Sequence, residues 1–359
     1  MIKIPFRKPR PALSILLALI AVYALGGYAV ARHLGQADNF SFILYYETVM
    51  LFTGTVIFTF IVVRVWTIML LQRPRHLTRT ILDDLHRRLF SAEKLQAMVP
   101  LFIGFIVLMS AFTSLKTLIP LMSPYHWDDT LIHLDRVLHG GHDPWRLLQP
   151  LLGHGWITQK INYVYNFWFF ILLGVLYWQI YDLRRPDLRM QFFWTFFLIW
   201  IVVGTILATY FSSMGPCFYS HVMKGPNPFA DQMKYLIDLN KVMPIWAIST
   251  QDLVWDSYKA SELGLGMGIS AMPSVHVAIA TLFFLVAWPY GKWMRVFFGL
   301  FWACIMVGSV HLAWHYAVDG YFSTLITIAM WFIVGWFFRN ASKDAATGRS
   351  TADLRGSSE

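Results

Sequence analysis

Charge is scarce in this 359-residue chain: only 14% of its residues are Asp, Glu, Lys or Arg, where an ordinary soluble domain carries about 25%. With 57% hydrophobic residues and a mean hydropathy of +0.52, a soluble enzyme is excluded. Cysteine is nearly absent. Cys217 falls in an expected loop and Cys304 inside an apolar stretch, so a shared disulfide is not expected. A Gly-rich phosphate loop, HExxH and CxxC are all missing, which leaves nucleotide-driven transport and zinc-protease chemistry without a motif. No internal repeat stands out. The net charge of +9 does not point to nucleic acid, because the Lys and Arg residues lie in short runs between apolar stretches, where they set membrane orientation.

What the chain has is apolar runs of about 20 residues, the length that crosses a bilayer as a helix. Eight spans are expected, at 12–32, 42–71, 97–119, 161–181, 191–212, 271–290, 294–313 and 319–338. In lipid only helices or closed barrels satisfy every backbone group, and these runs are too long and too evenly apolar for barrel strands. The fold class is therefore all-α, a polytopic membrane helical bundle of about eight transmembrane helices. The first span follows Lys3, Arg7, Lys8 and Arg10; its apolar region exceeds the usual signal-peptide length, so it reads as an uncleaved helix.

Basic residues cluster after span two (Arg73, Arg75, Arg79, Arg87, Arg88, Lys94), after span four (Arg184, Arg185, Arg189), in the link with Lys292 and Arg295, and in the tail (Arg339, Lys343, Arg349, Arg355). All fall on the side of the N-terminus, so both termini are expected in the cytoplasm and the loops 120–160 and 213–270 outside. Within 72–96, Leu77, Ile81, Leu85 and Leu89 recur about four apart, the pattern of an amphipathic helix on the inner leaflet. The segment 341–359, rich in Ser, Ala, Gly and charge, is expected to be a disordered tail. Glu47 and Arg64, near opposite ends of the second span, read as snorkelling to the interface.

Two motifs share the outer side. The first is Met272-Pro273-Ser274-Val275-His276, where a first-turn proline leaves Ser274 and nearby amides at a positive helix end suited to phosphate. The second runs from His311 through His315 to Asp319; four residues apart on a helix, His315 and Asp319 share a face, and the carboxylate can hold one ring proton while the other nitrogen acts.

These residues resemble the type 2 phosphatidic acid phosphatase superfamily, whose second motif reads PSxH and whose third ends in HxxxD. Here they are Pro273, Ser274, His276 and His315, Asp319. The resemblance implies a six-helix core over 97–340, preceded by a two-helix addition over 1–96. It also implies that His315 attacks phosphorus and forms a phosphohistidine, that Asp319 orients its ring, and that His276 protonates the leaving oxygen and then activates the acceptor. No cofactor or metal is implied. The partners are a lipid phosphate and a hydroxyl acceptor, which is water in a phosphatase and another lipid in a phosphotransferase.

Two features depart from the superfamily's pattern. The usual Arg six residues before the nucleophile is replaced by Ser309, after Gly308, and the first motif, KxxxxxxRP, is missing from the core. A literal match from Lys3 to Arg10-Pro11 lies across the expected membrane and is set aside. These departures, with the His-Tyr-x-x-Asp form, are similar to the branch containing the fungal inositol phosphorylceramide synthases, which move a phosphorylated headgroup between lipids. The developing phosphate charge then needs other cations. The outward candidates are Lys116, Arg136, Lys160, Lys224, Lys234 and His311; His311, one turn before His315, is favoured, and Ser274, Lys116 and Lys224 complete the expected binding set.

The expected function is thus headgroup transfer at the outer leaflet, with lipid phosphate hydrolysis as the alternative and a non-enzymatic lipid-binding transporter or scaffold as a third reading. His126, Asp128, Asp129, His133, Asp135, His139 and His142 show no metal-ligand spacing. Leu131, Leu134, Val137 and Leu138 instead suggest an amphipathic cover over the site. Met214-Gly215-Pro216-Cys217 reads as a helix stop or as an entrance loop.

Overall fold

A computed structural model of the chain describes residues 11–89, 91–223, 225–260 and 263–356, with side chains as far as Asn340 apart from Glu93. The described residues are helical and contain no strand. Seven helices are long and apolar enough to cross a membrane among them. The chain is an integral membrane helical bundle, and it divides into two compact units, up to Ser114 and from Leu115 onward.

The first unit holds α1 (Pro11–His33), α2 (Tyr46–Gln72), α3 (Leu77–Leu89) and the first part of α4 (Ala92–Met122). One stripe of α1, Leu13, Leu16, Ile20, Ala24, Gly27 and Ala31, is buried at helical spacing. Gly104 of α4 lets it approach: a Cβ there would lie 3.1 Å from Ile20 and 3.2 Å from Leu17. Ser110, Thr113 and Ser114 give α4 a polar stripe that accepts the amides of Tyr45 and Ser41 and shares a hydrogen bond with the Tyr45 hydroxyl. Arg64 does more than snorkel. It forks onto Asp84 of the amphipathic α3 with two contacts of 3.0 Å, and this guanidinium holds the Asp84 carboxyl below the usual range. Glu47 is exposed in the first turn of α2.

The second unit contains the end of α4, the short helices α5 (Asp128–Leu138) and α6 (Pro144–Leu152), and the spans α7 (Gly155–Tyr181) and α8 (Pro186–Tyr210). After a long loop come α9 (Ala230–Val242), α10 (Trp246–Ala260), α11 (Val275–Tyr290), α12 (Lys292–His311) and α13 (Ala317–Gly356). The backbone of α13 is helical through residues 341–356, where composition suggests disorder.

The sixth expected span is the exception in length. Helix α11 begins only at Val275 and at 1.5 Å per residue reaches about 24 Å, less than the roughly 30 Å of a hydrocarbon core. It tolerates this because it lies inside the unit, packed by α7, α8, α12 and α13, with Val277, Ala278, Ile279, Ala280, Leu282, Phe283, Val286 and Ala287 all buried. Its N-terminus and the turn between α12 and α13 meet at one end of the unit.

Candidate active site

Ser274 starts α11 in extended backbone, and its Oγ accepts the amide of Val277 at 3.4 Å. That capping places His276 in the first turn, where helix amides carry partial positive charge. Two residues of α7 hold His276. The Tyr165 ring stacks on it at 5.1 Å and 14°, and Trp168, 4.2 Å away, donates its indole N–H to the His276 carbonyl at 3.1 Å.

The second motif forms where α12 ends. The carbonyl of Ser309 accepts the amides of both Trp314 and His315 at 3.0 Å, and Ala313 turns the chain with a φ of +62°. The amides of Gln232 on α9 and Gln251 on α10 satisfy the carbonyls of Val310, His311 and Leu312, so the buried helix end keeps its partners. Into this turn Asp319 accepts from His315 Nδ1 at 3.2 Å and from the amide of Tyr316 at 3.1 Å. Asp319 is fully buried, and its other oxygen has no partner.

With the carboxylate as acceptor, Nδ1 carries the proton and Nε2 presents a lone pair. The rings of His276 and His315 stand 6.4 Å apart at 56°. That is too far for a direct hydrogen bond.

A bracket that the sequence reading missed joins the two motifs. Ser213 accepts the amide of Ala271 on its carbonyl and that of Met272 on its hydroxyl, while the Cys217 amide donates to the Ala313 carbonyl at 2.9 Å. Between them Gly215, with φ +87°, approaches so closely that a Cβ would lie 2.7 Å from the Trp314 carbonyl oxygen. Met214-Gly215-Pro216-Cys217 is thus a clamp on the turn that carries His315.

Helix α5 locks this clamp. Asp128 accepts the amides of Met214 and Gly215 and the Tyr316 hydroxyl at 2.7–3.1 Å. Seven residues later Asp135 accepts the amides of Ala317 and Val318, both at 2.9 Å, at the start of α13. Burial pushes the Asp128 carboxyl above the usual range and that of Asp135 up to about 6, against the lowering effect of these bonds. Leu131 and Ile132 share the face and pack with Trp145, Tyr219, Phe229, Met272 and Tyr316. The expected amphipathic cover is a helix riveted to the His315 turn by acids on its buried face.

The expected cations separate. Lys116 is half-buried on α4 and interacts electrostatically with His276. His311 is buried with its Nε2 2.9 Å from Thr158 Oγ1, which also meets the Tyr235 hydroxyl. Arg136 is paired with Asp143 at 2.6 Å, Lys234 with Asp238, and Lys160 is exposed. Lys224 and the N-terminal run from Lys3 to Arg10 lie outside the described residues. In the 126–142 loop His126 bonds the Pro124 carbonyl and His139 the Asp135 carbonyl and the Tyr321 hydroxyl. Among the described residues no three His, Cys, Asp or Glu side chains converge on one point.

A family model described as the PAP2 superfamily matches residues 129–333, more than half of the chain and a stretch that holds both histidine motifs. No curated protein and no solved structure matches.

Proposed function

The chain belongs to the PAP2 superfamily and is a phosphatase- or phosphotransferase-type lipid enzyme of the membrane; from that premise we propose that it moves a phosphorylated headgroup between lipids through a phosphohistidine. The observation that carries the reading is the buried Asp319 carboxylate on His315 Nδ1 with the His276 ring 6.4 Å from that of His315. His315 Nε2 attacks phosphorus as the bond to the leaving oxygen breaks, and His276 delivers a proton to that oxygen. The acceptor hydroxyl then gives its proton to His276 and attacks phosphorus, breaking the N–P bond and returning His315.

Lys116 supplies positive charge near His276, and Ser274 with the first amides of α11 supplies hydrogen-bond donors. We assign His311, held by Thr158, to positioning the catalytic turn. Lys224 remains a candidate headgroup contact. No step calls on a metal, and activity is expected to survive chelation. The charge distribution supports cytoplasmic termini with the site at the outer leaflet. Ser309, in place of an arginine, and the His-Tyr-x-x-Asp form favour transfer, as in the inositol phosphorylceramide synthase branch. Hydrolysis is the second reading, because His276 can deprotonate water with the same geometry.

The deciding experiment follows phosphate release from a panel of lipid phosphates beside headgroup exchange between two lipids in mixed micelles, for wild type and His315→Ala. Exchange without release, lost in the variant, is the expected result. Release lost in the variant assigns a phosphatase, and activity indifferent to His315 overturns the mechanism.

A further inference from the structure

We propose that Tyr165 is a substrate-binding residue, its phenolic O–H donating to an oxygen of the phosphoryl group as that group passes between His315 and the acceptor. The inference rests on the phosphoryl-transfer reading above and adds a donor that neither motif contains.

Tyr165 lies on α7, far in sequence from both histidines, yet its ring is stacked flat on His276. The ring is 5% exposed, and its hydroxyl is buried without a hydrogen-bond partner. Buried hydroxyls are rarely left so, because each forfeits its bonds to water. Nearby polar groups are committed elsewhere: the Ser309 hydroxyl donates back to the Met306 carbonyl at 2.8 Å, and Thr158 holds His311.

The position is built into the fold. Gly308, in the last turn of α12 before the His315 turn, has no side chain, and a Cβ there would lie 3.2 Å from Tyr165 Cδ2 and 3.1 Å from Ile161. The phenol occupies the space this glycine leaves. Tyr165 therefore touches the general acid and the end of α12 at once, with an unused donor. A tetrahedral phosphoryl group between the two histidines brings oxygens in need of donors, in a site where Ser309 offers none. A neutral O–H fixed by stacking suits that task, because a preorganised donor needs no reorganisation during the reaction.

Tyr165→Phe keeps the ring and removes only the donor. The expected result is a fall of about 10- to 100-fold in kcat/KM for the active lipid phosphate, the range of one hydrogen bond to a charged group, and a similar weakening of inhibition by orthovanadate. Thermal stability in detergent should hold or rise, since an unpaired buried hydroxyl is lost. Unchanged kcat/KM and vanadate inhibition overturn the proposal, and so does a loss of activity accompanied by a lower Tm, which marks a structural role. His315→Ala, measured in parallel, separates the two levels. If His315→Ala is inactive and Tyr165→Phe is fully active, the tyrosine assignment alone fails; if His315→Ala is active, the phosphohistidine reading fails.

Discussion

Asp319→Asn tests the mechanism at its most buried point. The side chain keeps its shape, and with its amide oxygen in the place of Oδ2 it still accepts the His315 Nδ1 proton and the Tyr316 amide, which meet that one oxygen at 3.2 and 3.1 Å in the wild type. The NH₂ group then takes the place of the oxygen that has no partner. What the variant loses is the attraction between a carboxylate and the imidazole as it gains positive charge. For unit charges about 4 Å apart at an effective dielectric near 20, that attraction is about 4 kcal/mol. At 1.36 kcal/mol per decade this is about a thousandfold in kcat. The assay is headgroup exchange and phosphate release in mixed micelles, with Tm recorded on the same samples. A variant that folds as the wild type and keeps activity within about tenfold would refute the role of Asp319.

Three further outcomes follow from the same geometry. His276→Ala should abolish turnover of lipid substrates, yet with an aryl phosphate, whose leaving group needs no proton, the first step should survive and radiolabelled phosphoenzyme should accumulate; absence of label with every leaving group contradicts the acid–base role. Gly215→Ala places a Cβ 2.7 Å from the Trp314 carbonyl oxygen at a φ of +87° and should cost about 1–3 kcal/mol of stability, seen as a lower Tm, together with most of the activity; wild-type values of both would mean that the clamp yields freely. Asp135 has a folded pKa of about 6 against the ordinary 3.8, so the native state holds its proton more tightly than the unfolded chain. The stabilisation this gives is complete below about pH 4 and is lost as pH rises through about 6, a change of about 3 kcal/mol. Over that window the Tm of wild type should fall relative to that of Asp135→Asn, and parallel curves would show that the carboxyl titrates normally.

Apolar run length identified the spans because lipid imposes one requirement, a helix long enough to satisfy its own backbone across the core. That requirement relaxes for a helix surrounded by other helices, which is why α11 starts at Val275 and not near residue 271. Arg64 shows a second limit. Its position near the inner end of the second span suggested snorkelling, but Asp84, 20 residues on, supplies a forked partner that no local pattern reveals. The amphipathic spacing of Leu77, Ile81, Leu85 and Leu89 needed no such knowledge, and α3 forms over Leu77–Leu89.

The histidine motifs were legible for a related reason: His315 and Asp319 need only one helical turn to meet, and Ser274 caps the helix that carries His276. The frame around them was hidden because its contacts use backbone amides. The N–H groups of Met214, Gly215, Ala317 and Val318 leave no mark on side-chain identity, and the carboxylates that receive them lie about 80 to 180 residues away. One sign was nonetheless present. Asp128 and Asp135 are seven apart, two helical turns, and fall on the same face as Leu131 and Ile132. An acid on the apolar face of an amphipathic helix has no place against lipid or in a hydrophobic seam unless it meets donors there. The segment 126–142 therefore held the strongest hint of the frame around the His315 turn, in the two aspartates that broke its hydrophobic stripe.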